Sequence, residues 1–247
     1  MSDTASFSTV LLPGLACDAR LWRDQLAALA PRYAPRVADV HTRADTLPAM
    51  ARRLLAEQPG ELVLIGASMG ARIALEAACQ APQRVRGVAL LGSTARADSD
   101  ELRALRGQAI AEFEAGRGDD VLEANVWFVF HRSAWDDEPL LNRYRAMLAR
   151  AGTTQLIAQN RALMAAADLR PALPGLACPT LVVCGEGDAI TPPECSREMA
   201  AAIPAARLEW LPECGHMPTM EKPAAVNALL QAWLGSLEHI SAPGGSG

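Results

Sequence analysis

Long apolar runs are missing from this chain, and none approaches the about 18 residues that a membrane span requires. Lysine is nearly absent, since Lys222 is the only one, and the arginines are scattered rather than gathered into a stripe. With 23 basic residues against 28 acidic ones the net charge is -5, so nucleic acid is not an expected partner. The six cysteines contain no CxxC pair, and none of the four histidines stands at ligand spacing from a cysteine. Disulfides and a metal site are therefore not expected; Cys214 beside His216 comes nearest, and buried thiols are the simpler reading. The start, Met1 to Ser8, lacks the basic residues and apolar core of a signal peptide, so a soluble cytoplasmic protein is expected.

What is present suits one large globular unit: 247 residues, half of them apolar. Short apolar runs alternate with helical patterns, the signature of a parallel sheet covered on both faces. The expected strands are Thr9–Leu12, Arg36–Val40, Glu61–Ile65, Gly87–Leu91, Thr180–Cys184 and Arg207–Leu211. Helices are expected near Leu21–Ala30, Leu47–Gln58, Met69–Ala81, Pro193–Ile203 and Pro223–Leu234. The fold class is α/β, a mostly parallel sheet of about six strands flanked by helices.

The alternation stops between Asp98 and Asp168, where only helical segments follow one another, punctuated by Gly116, Gly118 and Gly152. An all-helical stretch between the fourth and fifth strands is most simply a cap over the end of the sheet. The expected organisation is a core of residues 1–97 and 169–240, a cap of 98–168 and a disordered tail, Ser241–Gly247.

The chemistry gathers at strand ends. Glu61–Gly70 reads ELVLIGASMG: a strand runs into Gly66-Ala67-Ser68-Met69-Gly70 and then turns into a helix. Gly-x-Ser-x-Gly at such a junction lifts the serine hydroxyl above the sheet, and the glycines let strand and helix approach. A hydroxyl needs a base, and the base needs an orienting acid. Following the last strand, Pro212-Glu213-Cys214-Gly215-His216 puts His216 on a loop in the required order. After the preceding strand comes Gly185-Glu186-Gly187-Asp188, which makes Asp188 the first candidate for the acid, with Glu186 and Asp98 as rivals. Two backbone donors would hold the oxyanion: Met69 N–H and, from the loop Leu12-Pro13-Gly14-Leu15, the N–H of Leu15. Gly14 permits a close backbone approach there.

LLPGLACDARLW, GASMGARIAL, CGEGDAITPP and CGHMPTMEKP together resemble the α/β-hydrolase superfamily, closest to small bacterial carboxylesterases and enol-lactone hydrolases. The likeness runs from about Thr9 to Leu234 and implies a helical cap and catalysis without a cofactor. Three departures stand out: Pro13-Gly14 where many relatives carry His-Gly, Ala67 where histidine is common, and a first strand almost at the N-terminus. The serine itself sets the chain apart from dehalogenases and epoxide hydrolases of this fold, which carry aspartate there. The expected reaction is hydrolysis of an ester, lactone or thioester. The alternatives are the same site used as a cofactor-free perhydrolase or haloperoxidase, an acyltransferase or a carbon–carbon bond hydrolase, and a non-hydrolytic receptor. A small acyl ester or lactone is the expected partner, on a monomer or homodimer.

The substrate pocket is the least determined part. Asn125–Trp135, NVWFVFHRSAW, offers Trp127, Phe128, Phe130 and Trp135 as candidate walls, although such aromatics equally hold a cap to its core. His131 is a candidate for meeting a substrate carboxylate, and Met217 for an apolar wall beside His216.

Overall fold

A computed structural model describes residues 7–238. The tail Ser241–Gly247 lies outside the described residues, as does His239. Six strands form one all-parallel sheet: β1 (Ser8–Leu12), β2 (Arg36–Val37), β3 (Leu62–Ala67), β4 (Val85–Leu91), β5 (Thr180–Gly185) and β6 (Ala206–Leu211). Their spatial order is β2-β1-β3-β4-β5-β6.

Burial explains why the strands read as unbroken apolar runs. In β3 all six residues are buried, because helices cover both faces of a central parallel strand. Alternate side chains go opposite ways. Leu11, Ile65, Ala89 and Val183 join one core with the helices α1 (Arg23–Tyr33) and α10 (Pro223–Leu237). Leu12, Leu64, Leu90 and Val182 join another with α2 (Leu47–Glu57), α3 (Met69–Gln80) and α8 (Pro193–Ala202). The edge strand β6 alternates more loosely, with Glu209 and Arg207 turned to an ion pair outside the core.

One strand is shorter than its sequence suggests. Arg36–Val40 was expected to be extended, but pairing ends at Val37, and Val40–Thr42 form a 3-10 turn. Thr42 closes that turn by donating both its N–H, at 2.9 Å, and its hydroxyl, at 2.8 Å, to the Asp39 carbonyl.

Between β4 and β5 lie four helices: α4 (Asp100–Glu114), α5 (Gly118–Val129), α6 (Glu138–Ala151) and α7 (Thr153–Met164). Ser99 and Asp137 accept from the N–H groups of Leu102 and Leu140, capping α4 and α6. Phe113, Val126, Phe130, Tyr144, Met147 and Leu156 bury their apolar side in the same core as Ala16, Leu21 and Met217. Its two connections run side by side, Leu169 N–H donating to Ala95 O at 2.8 Å. Buried Arg72 of α3 binds both, donating to Arg96 O and, at 2.8 Å, to Ala167 O. Among the described residues no helix is long and apolar enough to cross a membrane.

Candidate active site

Ser68 occupies the single residue between β3 and α3, with φ 52° and ψ -116°. That conformation is strained for a residue bearing a Cβ, and it persists because neighbours on every side fix the turn. Ser68 N–H donates to Leu91 O at 2.9 Å, and the Ser93 hydroxyl donates to Ser68 O at 2.9 Å. The flanking glycines are required by space. A Cβ on Gly66 would lie 2.4 Å from the Ala71 backbone, and one on Gly70 would lie 2.0 Å from Leu12 O.

Asp188 and His216 arrive from the loops after β5 and β6. Asp188 is 3% exposed and its carboxylate is saturated. Oδ1 accepts the N–H groups of Ile190 and Thr191, both at 2.9 Å, and Oδ2 accepts the Thr191 hydroxyl at 2.8 Å. Both oxygens face His216 Nδ1, at 3.0 and 2.9 Å. Burial opposes the charge on Asp188, but His216 and the Thr191 donors outweigh it and hold the carboxyl below its ordinary range. An ionised carboxylate only accepts, so the His216 proton sits on Nδ1 and Nε2 is left as an acceptor. Nε2 lies 3.0 Å from Ser68 Oγ. A continuous line of hydrogen bonds therefore links carboxylate, imidazole and hydroxyl.

The rival acids are engaged elsewhere. Asp98 pairs with Arg106 at 2.6 Å, and Glu186 is exposed beside an open surface cavity.

Gly14 comes up against Ser68 from the loop after β1, so close that a Cβ there would lie 3.2 Å from Ser68 Cβ. Within this loop Ala16 N–H is taken by Gln159 Oε1 at 2.8 Å and Cys17 N–H by Gly14 O at 3.2 Å. Half-buried Leu15 precedes them. Met69, first residue of α3, has an N–H with no acceptor within its own helix. Gln159 was not anticipated from sequence. From α7 it also donates to His41 O at 3.1 Å, while His41 Nε2 lies 2.9 Å from Cys17 O, so the insertion braces this loop. Burial pushes the His41 pKa down and that of the Cys17 thiol up to about 12.

The aromatics of the insertion separate into two groups. Phe130 is buried, its ring edge-on to Tyr144 with centroids 5.0 Å apart. Trp127, Phe128 and Trp135 are exposed, and the two tryptophans meet edge to face at 5.5 Å. Trp135 borders an open cavity of about 540 Å³ with His131, Arg132, Glu186 and Glu213, and Ser68 is not part of its wall. His131 directs Nδ1 to the Ser133 hydroxyl at 2.8 Å. A second cavity, of about 270 Å³, lies against the loop after β1, beside Pro13, Ala16 and Cys17. Met217 is buried next to His216. Among the described residues no group of three or more His, Cys, Asp or Glu is placed to hold a metal ion.

A family model described as the alpha/beta hydrolase family matches residues 9–229. The chain belongs to the alpha/beta hydrolase family. Among its relatives in that family is a pimeloyl-(acyl-carrier protein) methyl ester esterase of Nitrosomonas europaea, 26% identical over 229 residues, covering 87% of this chain and 90% of the relative. A solved esterase of Thermogutta terrifontis is also similar, with TM-score 0.85 and 26% identity over 95% of this chain and 92% of its own. The enol-lactonase of Burkholderia xenovorans LB400 shares the fold, with TM-score 0.82 and 24% identity over 93% and 92% of the two chains. In this alpha/beta hydrolase a short helix, α9 (Pro218–Glu221), follows directly after His216 and was not expected from the sequence. Two prolines bracket it, and four residues are too few to carry a periodicity.

Proposed function

We propose that this protein is a serine hydrolase that cleaves a carboxylic ester, lactone or thioester through an acyl-enzyme. The observation that carries the reading is the hydrogen-bonded line Asp188–His216–Ser68, at 2.9 and 3.0 Å, on a strained strand-to-helix turn. In this reading Ser68 Oγ attacks the carbonyl carbon while its proton passes to His216 Nε2. Asp188 keeps the imidazole in the right tautomer and stabilises the imidazolium. The N–H groups of Leu15 and Met69 hold the oxyanion, one from the loop that Gln159 braces and one from the start of α3. His216 then protonates the leaving alcohol, thiol or ring oxygen, and takes a proton from the water that releases the acid.

The esterase names of the Nitrosomonas europaea and Thermogutta terrifontis relatives support ester over carbon–carbon or perhydrolase chemistry. The insertion, residues 98–168, serves as the cap that covers the acyl group, and its buried side places Phe130 and Met147 in the same apolar core as Met217. Trp127, Phe128 and Trp135 have exposed rings and do not belong to that buried side.

The test is hydrolysis of p-nitrophenyl esters from acetate to palmitate by wild type and Ser68→Ala, with fluorophosphonate labelling of both. Turnover and labelling in wild type, both lost in Ser68→Ala, are expected. Labelling that survives in Ser68→Ala would sink the assignment. A wild type that labels but leaves every ester intact would move the reaction to a lactone or a carbon–carbon bond.

A further inference from the structure

The three consecutive backbone N–H groups around the active histidine all have partners, and none of those partners belongs to the histidine loop. Gly215 N–H and Met217 N–H both donate to the Glu221 carboxylate, each at 3.0 Å. His216 N–H crosses instead to the helical insertion, donating to Val129 O at 2.7 Å. Glu221 Oε2 reaches the insertion as well, accepting His131 N–H at 2.9 Å. One carboxylate therefore ties together donors on both sides of His216 and a donor two residues beyond the end of α5.

The seam between loop and insertion is tight along its length. A Cβ added to Gly215 would lie 2.6 Å from His131 N and 2.7 Å from Val129 O, which are backbone atoms that cannot swing aside. The chemistry of the acceptor matters here. Three N–H donors converge on two oxygens, and a carboxylate offers only acceptor sites and forms charge-assisted bonds. An amide of the same shape would turn its NH2 toward one of those donors.

We propose that Glu221 is a positioning residue for His216, fastening the histidine loop to residues 129–131 so that the imidazole reaches Ser68 only when the insertion is seated. The proposal rests on the reading of His216 as the general base. It makes the placement of the base depend on the cap, through the backbone and not through substrate.

The experiment compares Glu221→Gln, Glu221→Leu and Gly215→Ala with wild type, and uses Ser68→Ala as the reference for the underlying mechanism. Active sites are counted by fluorophosphonate titration, and kcat and KM on a short p-nitrophenyl ester are expressed per titrated site. Thermal unfolding and the low-field proton resonance of His216 Nδ1–H are recorded alongside. Because ångström-scale misplacement costs up to about a hundredfold in rate, kcat should fall about tenfold in Glu221→Gln and about a hundredfold in the other two, with KM within about twofold. The His216 resonance should move in each. Gly215→Ala retains the carboxylate but forces the seam apart, so a matching loss there locates the effect in the seam. Should Glu221→Leu fail to fold, the glutamine and alanine variants decide. Folded variants with wild-type kcat per titrated site and an unmoved resonance, changed only in melting temperature, would overturn the proposal. Failure of the serine mechanism would show separately, as labelling that persists in Ser68→Ala.

Discussion

The end of the sheet and the helical insertion above it are built on different principles. Around Ser68 the chain is positioned by backbone against backbone: Gly66 on Ala71, Gly70 on Leu12, Gly14 on Ser68. The outer face of the insertion is held by ion pairs between exposed side chains, such as Arg145 with Glu123 at 2.6 Å and Arg161 with Glu114 at 2.9 Å. Backbone contacts allow almost no adjustment, whereas exposed ion pairs contribute between about 0 and 1 kcal/mol and are easily exchanged. The difference teaches where this molecule tolerates change: the end of the sheet around Ser68 is rigid, and the outer face of the insertion is loosely specified.

The comparison would break most visibly at the acid. Asp188→Asn leaves the packing intact but offers His216 an amide in place of an acceptor-only carboxylate, and kcat should fall by about 10⁴-fold in steady-state assays. Near-normal turnover would move the orienting role to Glu186 or Asp98. Gly70→Ala attacks the rigid end through space alone. With a backbone oxygen in the way, urea unfolding should show a loss of about 3 kcal/mol, the upper end for overpacking. An unchanged midpoint would mean that strand and helix can part after all.

A smaller effect follows from charge. The folded pKa of Asp188 lies below its ordinary value, so the unfolded chain binds the proton more readily. The stability this contributes is therefore complete above the unfolded value of about 3.9 and is lost as pH falls through the lower folded one. Melting temperature against pH should fall more steeply at the acid end in wild type than in Asp188→Asn; parallel curves would refute the linkage. The smallest effect belongs to the insertion. Phe128, 61% exposed, should tolerate serine within about 0.5 kcal/mol of stability. A larger loss would show that the outer face is structured by more than ion pairs.

These two regions were also unequally legible in the sequence. Parallel strands buried on both faces leave apolar runs such as Leu62–Ala67, so the architecture could be read directly, and the spacing of the Gly-x-Ser-x-Gly junction singled out Ser68 as a candidate. His216 and Asp188 followed from order along the chain. Gln159 was hidden because it acts across 143 residues, and a buried glutamine in a helix has the same local pattern as an exposed one. Glu221 was hidden for a related reason: its partners are backbone N–H groups, which have no sequence signature. The aromatics of Asn125–Trp135 defeated the reading in another way, since composition does not say that Phe130 turns inward while Phe128 turns out.

The hydrogen bond from Leu169 to Ala95 has a consequence for the history of such a protein. The chain departs from the sheet and returns to it at neighbouring points, with Arg72 closing the gap from below. Such a junction works as a socket. Because the entropy of closing a loop grows only with the logarithm of its length, helical inserts of very different size can be accepted there without disturbing the strands. What a replacement would have to reproduce is brief: a carbonyl and an N–H at the places of Val129 and His131, to meet the histidine loop, and an amide at the place of Gln159, to brace the loop after β1.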